Sequence, residues 1–437
     1  MPYKLLAVTG ALLVCATAFA QDPPQAEPSK NVWSWGHKIE IRGDYRWSAD
    51  ESHPVQFPTG AMVQTVDPGH HVELNVADLQ LDLGYASFAA RAKVHGVAKH
   101  RRNPTSTDRK GDIDELWVRL GQNPEFLERP ERTSFFLQAG KFPKMERQPV
   151  RLLESYGLAA TSFNRFEDVQ VLGGGSVGRN LYWRVQLANG NPLFFRDPNA
   201  LAGDNGTRRQ VREGLSPELG SGFPILYNAE TEDLILKTGH PQWGEAVGYR
   251  WQRADETLGF DAIVFHYQRN LANSVDLYGT EYGGDLDLLT VGEAGDDIPV
   301  TPRGLPVSGR KKEEYGGRIY SEWHAATVIA QYTHQTLAGL KREGWELETG
   351  YAIPLALGPI ESIQPAARVS GITNHFGSVA AFPAPTIWWQ WAKMDAGVRV
   401  GLKHGLDVTL EYTKHNIGTK VNKVNEREAL VTVRWRV

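Results

Sequence analysis

The groups in this chain that could act on other molecules are charges, and they fall at every second residue. In His37–Trp47, Lys38, Glu40, Arg42, Asp44 and Arg46 share one parity, while Ile39, Ile41, Gly43, Tyr45 and Trp47 share the other. Successive side chains of a β-strand point to opposite faces, so this segment makes one charged face and one apolar face. A row of fixed charges makes and breaks no covalent bond; it attracts, repels and guides ions and polar solutes. Other chemistries find little support. His70-His71 with His100 lacks a metal-ligand spacing and a carboxylate partner within the motif. Gly173-Gly174-Gly175 is not followed by the lysine and serine of a phosphate cradle, and no H-E-x-x-H helix occurs. Barrel hydrolases with a catalytic serine exist, but no G-x-S-x-G nucleophile elbow is recognised and nothing here raises that reading. Cys15 is the only cysteine, and it lies in the apolar leader described below. Thiol catalysis, disulfides and cysteine metal sites are thereby excluded from the exported chain. The expectation is a protein that is not an enzyme and carries no cofactor and no metal.

The elements that must position these charges are strands. The alternation of His37–Trp47 returns at the end of the chain, where Ala429, Val431, Val433, Trp435 and Val437 alternate with Leu430, Thr432, Arg434 and Arg436. Between these ends, Leu181–Leu187, Val247–Trp251, Ile319–Trp323, Trp345–Tyr351, Val398–Leu402 and Val408–Tyr412 repeat it. Apolar-out, polar-in segments of about ten residues mark an outer-membrane β-barrel. Phe260–Tyr267 is apolar on both parities, so its facing is open. A parity slip near Ala77-Asp78 predicts a bulge. On this reading Tyr45, Trp47, Trp183, Trp251, Trp323, Trp345, Tyr351 and Trp435 face lipid, several of them at the boundary girdles, where amphipathic rings are favoured.

Composition agrees. The chain has 437 residues, 10% aromatic residues, 13 Trp and a mean hydropathy of −0.39. Residues 1–20 read as a signal peptide: Lys4, an apolar run from Leu5 to Thr17, and the small-x-small site Ala18-Phe19-Ala20. A lipoprotein signal through Cys15 is the weaker alternative, since Val14 is a poor residue before the modified cysteine. Residues 21–31, rich in proline, form a flexible periplasmic lead-in, and residues 32–437 form the barrel. No later run of about 18 apolar residues exists, which excludes a helical membrane protein. A net charge of −4 argues against a nucleic-acid partner. The expected fold is therefore all-β: one closed antiparallel transmembrane β-barrel of about 16 strands, within a range of ~14–18 set by chain length.

Charges on the polar parity give the lumen wall. Its basic members are Lys38, Arg42, Arg46, Arg91, Lys93, Arg119, Arg184, Arg250, Arg318, Arg399, Lys403, Arg434 and Arg436. Against them stand Glu40, Asp44, Asp82, Glu115, Glu322, Glu346, Glu348, Asp407 and Glu411. The small basic excess predicts a mild preference for anions; the bland alternative is cross-strand pairing that only stiffens the wall. Three connections, Pro143–Glu167, Asn191–Asp233 and Leu271–Glu314, are too long for tight turns.

Three segments carry a more specific likeness. Phe135–Phe142 (FFLQAGKF), Phe166–Gly174 (FEDVQVLGG) and Leu181–Asn191 (LYWRVQLANGN) resemble strands of Gram-negative porins of the phosphate-selective O and P type. The resemblance covers under a fifth of the chain. It implies a porin of about sixteen strands whose narrowest part is lined by arginines and lysines of an inward-folded loop. Lys141, Lys144, Arg147, Arg151 and Arg165 occupy the comparable stretch and are the constriction candidates. The lysine-dense loop of a true phosphate channel is not evident, and the chain ends in Val437 where such barrels end in Phe or Trp. The function expected is passive diffusion of small polar or anionic solutes across the outer membrane of a Gram-negative bacterium. The partners expected are outer-membrane lipid and lipopolysaccharide, the barrel-assembly machinery, and other copies of the chain in a homotrimer. An alginate-type exopolysaccharide export barrel and a structural or adhesive barrel are the alternatives.

Overall fold

The computed structural model describes residues 32–49, 52–53, 63–64, 69–96, 111–124, 126–128, 130, 133–163, 167–189, 241–270, 311–337, 339–375, 390–418 and 423–437. Among them, sixteen strands close into one antiparallel barrel. They are β1 (Trp33–Ser48), β2 (Gly69–Tyr85), β3 (Phe88–Gly96), β4 (Gly111–Gly121), β5 (Ser134–Pro143), β6 (Glu167–Val177), β7 (Leu181–Ala188) and β8 (Gln242–Gln252). The second half comprises β9 (Leu258–Asn270), β10 (Lys311–Trp323), β11 (Ala326–Leu337), β12 (Leu340–Tyr351, continued by Ile353–Leu357), β13 (Ile360–Asn374), β14 (Gln390–Leu402), β15 (Leu406–Gly418) and β16 (Lys423–Arg436). Each strand pairs with its sequence neighbours, and β1 closes on β16 from Glu40↔Arg436 to Ser48↔Glu428. Closure leaves no strand edge to be satisfied by water, which lipid cannot supply. A separate two-residue ribbon joins Ser52–His53 to Val63–Gln64. The leader and lead-in lie outside the described residues.

The expected bulge is present, at Asn75, just ahead of Ala77-Asp78. Segments 72–76 and 79–85 form one continuous strand, and the shift in its pairing with β1 falls between Arg42 and Gly43, opposite residues 74–76. The stretch read as a connection up to Glu314 ends earlier, because Lys311–Glu314 already pair with β9.

Parity behaves as the alternation predicts. Leu116, Val118 and Leu120 are 50–58% exposed, whereas Trp117 between them is 6% exposed and points inward. All eight aromatics named above lie on the outward parity of their strands, beside exposed Leu, Val and Ile. Trp33, Trp35, Trp243, Tyr249 and Phe135 extend the outward set. The ambiguous segment 260–267 resolves with Ile263, Phe265 and Tyr267 inward. They join Trp117, Phe136, Phe142, Met145, Leu172, Tyr182 and Ala246 in an apolar core inside the barrel. Strands β4–β9 thus carry apolar side chains on both faces along this core, and in β9 these leave Phe260–Tyr267 without clean alternation.

Inside this core, rings lie over glycines of the adjacent strand. Directly paired are Phe136 with Gly174, Tyr182 with Gly248, Tyr267 with Gly244 and Phe265 with Gly316. A Cβ built on Gly174 would come within 2.6 Å of the Phe136 ring, and one on Gly316 within 2.7 Å of the Phe265 ring. On the outer face Trp345 covers Gly371 in the same way. Gly173 instead meets open space. Gly248→Val is therefore expected to push Tyr182 off its seat and cost about 1–3 kcal/mol, whereas Gly173→Val is neutral. The check is the temperature at which each variant loses its compact, fast-migrating form in detergent gels.

Candidate functional site in the lumen

The chain leaving β5 does not arch outward. From Lys144 to Phe163 it enters the barrel, and Leu152, Leu153, Leu158, Ala159 and Phe163 are at most 5% exposed. A loop inside a barrel has no strand beside it, so the wall must satisfy its backbone. Glu348 accepts from the backbone N–H of Leu152 (2.6 Å) and Leu153 (3.2 Å). Glu411 accepts from the N–H of Glu154 and of Ser155 (3.1 Å). Carbonyls are met by cations: Arg184 donates to Met145 O (2.9 Å), Arg318 to Arg147 O (2.6 Å), Arg368 to Ser155 O (3.0 Å) and Lys393 to Tyr156 O (2.6 Å). The short helix α1 (Leu158–Ser162) follows, and Phe163 packs over Gly344 beneath the Arg342 guanidinium.

Two buried hubs fix the loop. Glu154, without solvent exposure, lies 3.3 Å from Arg42, 2.8 Å from Arg399, 2.7 Å from Arg434 and 3.6 Å from Arg151. Burial alone would raise the Glu154 carboxyl; the surrounding arginines outweigh it and hold that group well below the ordinary carboxylate range. Arg368 forms the second hub, 2.9 Å from Asp395 and 3.3 Å from Glu348, with its guanidinium also on Ser155 Oγ at 2.6 Å. Paired and hydrogen-bonded, these charges are tolerated where isolated ones would not be.

The sequence-named residues divide accordingly. All ten wall positions, Lys38, Arg42, Arg46, Arg91, Lys93, Arg184, Arg250, Arg318, Arg399 and Arg434, lie on inward parities. Five of them, Arg42, Arg46, Arg250, Arg318 and Arg434, are at most 4% exposed, packed against inserted or neighbouring protein rather than lining free lumen. Lys403 falls in the turn after β14, not on the wall. Of the constriction candidates, Arg147 and Arg151 keep water access, at 39% and 26% of their side chains. Lys144 does not: it is buried with its ammonium 5.5 Å from the Tyr267 ring centre. Lys141 shares the outward parity of Phe135 and Leu137 and pairs in register with outward Leu116, so it faces away from the lumen. The G-K-F run reads as a pore lysine only if parity is ignored. Arg165 lies outside the described residues.

On their inward parity β2–β4 present half-buried charges that remain wet. Arg91 pairs with Asp82 (2.7 Å) and Glu115 (3.6 Å). Lys93 bridges Asp78 (2.8 Å) and Asp114 (2.7 Å). Asp78, His95 and Asp114 place potential ligand atoms within 4.8 Å of one another. The Lys93 ammonium already joins the two carboxylates, so this cluster carries its own cation and does not fit a metal. His70 is bonded to Tyr45 Oη at 2.5 Å, and His100 lies outside the described residues. Gly174-Gly175-Ser176-Val177-Gly178 does match the spelling of a nucleophile elbow. It runs from strand β6 into the turn before β7 instead of from strand to helix, and Ser176 is buried opposite Tyr182 and Ser134.

Glu154 and Arg368, the residues that hold the loop, were not singled out by sequence. Glu154 sits in a non-periodic segment, and β13, which carries Arg368, is interrupted by Pro365 and gives little alternation. The available signal was the run of carboxylates at Glu346, Glu348 and Glu411 on inward parity, too many for a water-filled wall with no partner.

No family model and no curated protein matches the chain. Solved structures do. The outer membrane channel DcaP of Acinetobacter baumannii aligns with a TM-score of 0.52 at 9% identity, covering 94% of this chain and 99% of that one. OprB of Pseudomonas putida at high pH gives 0.51 at 9% identity, over 92% and 94%. OmpF of Salmonella typhi, complexed with daunomycin, gives 0.51 at 10% identity, over 92% and 97%. At such identities the likeness is one of fold, and it extends over nearly the whole of each chain.

Proposed function

We propose that this chain is a porin-like channel of the Gram-negative outer membrane, through which small polar solutes diffuse passively, with a mild preference for anions. The observation that carries the reading is the exposure of Arg147 and Arg151 on a loop folded into the lumen. Low-dielectric walls concentrate the field of such groups on a passing ion. Membrane placement rests on the outward band of Leu, Val and Trp, and the outer membrane on the closed barrel with longer connections at one end and mostly short turns at the other. The loop's many anchors leave a restricted path, which favours small solutes over an exported polymer. The three segments resembling phosphate-selective porins make phosphate the first solute to test.

Purified protein in planar bilayers is expected to give an ohmic channel whose reversal potential under a potassium chloride gradient has the sign for chloride. Millimolar phosphate that reduces the chloride current would extend the reading to phosphate. A barrel that inserts and stays silent would overturn the channel, and a potassium-selective one would overturn the anion preference.

A further inference from the structure

One connection on the short-turn side departs from its neighbours. The links at 86–87, 178–180, 253–257, 324–325, 358–359 and 403–405 are of two to five residues, whereas β4 and β5 are joined by 122–133. The described part of that connection turns into the barrel. Its carbonyls at Pro124 and Glu128 are both held by one arginine, Arg250 of β8, at 3.0 and 2.7 Å. Arg250 is itself 1% exposed, with its guanidinium 4.2 Å from the Tyr182 ring centre. Leu127 sits against Gly259 of β9, where a Cβ would come within 3.0 Å of it. Phe126 lies under the Arg318 guanidinium (5.0 Å) and beside Tyr320 (6.0 Å), both of β10. It does so at φ 38°, a backbone conformation that a residue with a side chain adopts only when its surroundings impose it. The segment thus spans from β5 to β10, about a third of a sixteen-strand circumference.

Two arginines tie this segment to the loop that enters from the opposite end. Arg184 reaches Asn123 Oδ1 (3.4 Å) and Met145 O (2.9 Å). Arg318 touches the Phe126 ring on one side and donates to Arg147 O on the other. Arg147 carries the exposed guanidinium of the candidate constriction.

We propose that Asn123, Pro124 and Phe126–Glu128 form a second restriction at the periplasmic mouth, continuous with the loop above it and setting the size limit for solutes independently of the charge filter. The inference rests on the channel reading. Solutes passing Arg147 and Arg151 meet a mouth already narrowed on the β5–β10 side and leave along β1–β4. Size and charge are then selected at two separate depths.

The test uses the full-length protein with residues 122–133 replaced by a two-residue Asn-Gly turn, studied beside Arg250→Gln, which keeps the chain length and removes the guanidinium. Both variants should raise single-channel conductance, the shortened one at least twofold, and speed the uptake of larger neutral sugars into proteoliposomes. Reversal potential should stay that of the parent. If shortening disturbs assembly, Glu128→Cys in the full-length chain gives the same answer, because a bulky methanethiosulfonate added from the periplasmic side should cut the current. A parent channel that conducts, with variants of unchanged conductance and a labelled cysteine that leaves the current alone, overturns the second restriction while leaving the channel standing. Barrels silent before and after shortening overturn both, whereas a silent parent with a conducting shortened form makes the segment a complete plug.

Discussion

Glu154→Gln should release the inserted loop and raise single-channel conductance several-fold, with frequent transitions between current levels. The substitution keeps shape and removes charge. Arg42, Arg151, Arg399 and Arg434, drawn within 2.7–3.6 Å of that carboxylate, would then repel one another around a neutral amide. Removing one member of a buried ionic cluster costs about 3–5 kcal/mol, since the remaining charges keep their desolvation penalty and lose their attraction. The barrel wall, held by its own backbone ladder, does not depend on this hub, so the protein should still insert and still shift mobility on heating. What should change is the population of inserted loop. Glu154→Asp, which preserves the charge at shorter reach, should lie between parent and Gln variant. Unchanged conductance and steady current in Glu154→Gln would show that the loop is held without its arginine cage.

Arg147→Glu combined with Arg151→Glu should reverse the sign of the potential measured under a salt gradient. Among the described residues these are the loop cations with substantial water access, so they contribute most of the field that a permeating ion experiences from the described loop. Each replacement changes local charge by two units. Arg147 also loses Glu167, and Arg151 loses its place beside Glu154 and over the Tyr156 ring at 4.3 Å. Loosening of the loop is therefore a second consequence, separable because it changes conductance while the charge change moves the reversal potential. Arg147→Gln with Arg151→Gln should give an intermediate value. A parent-like reversal potential in the Glu pair would place both residues off the permeation path.

Much of the barrel was legible because lipid on one side and polar groups on the other impose period two. The outward aromatics follow parity without exception among the eight named. Legibility failed where the inside of the barrel is not water. Strand β9 is apolar on both faces because Ile263, Phe265 and Tyr267 meet Met145 and its neighbours in the interior. The same cause misled the reading of the charges. Arg42, Arg250, Arg318 and Arg434 face inward as expected, but the inserted chain, not solution, receives them: backbone carbonyls take Arg250 and Arg318, and the Glu154 carboxylate takes Arg42 and Arg434. Parity tells which face a residue takes; it does not tell whether that face is wet. Lys141 shows the reverse error, since its family-like motif drew it into the site although its parity excludes it. Inserted loops make contacts hundreds of residues away, as Glu154 does with Arg434, and no local pattern announces them.

Period two has another weakness, which the rings seated on glycines correct. A strand that slips by one residue turns its charges to lipid and is rejected at once. A slip by two keeps every side chain on its proper face, so alternation alone cannot detect it. In β7 against β8 such a slip would set Tyr182 against Ala246 or Arg250 instead of Gly248. In β9 against β10 it would set Phe265 against Glu314 or Arg318 instead of Gly316. Each ring with its glycine therefore acts as a parity-blind checkpoint, a notch that a tooth enters at a single setting. Spread over β5–β10, with a further one outside between β12 and β13, these notches give an assembling barrel a way to tell its own alignment from the near-copies that hydrophobic patterning leaves degenerate.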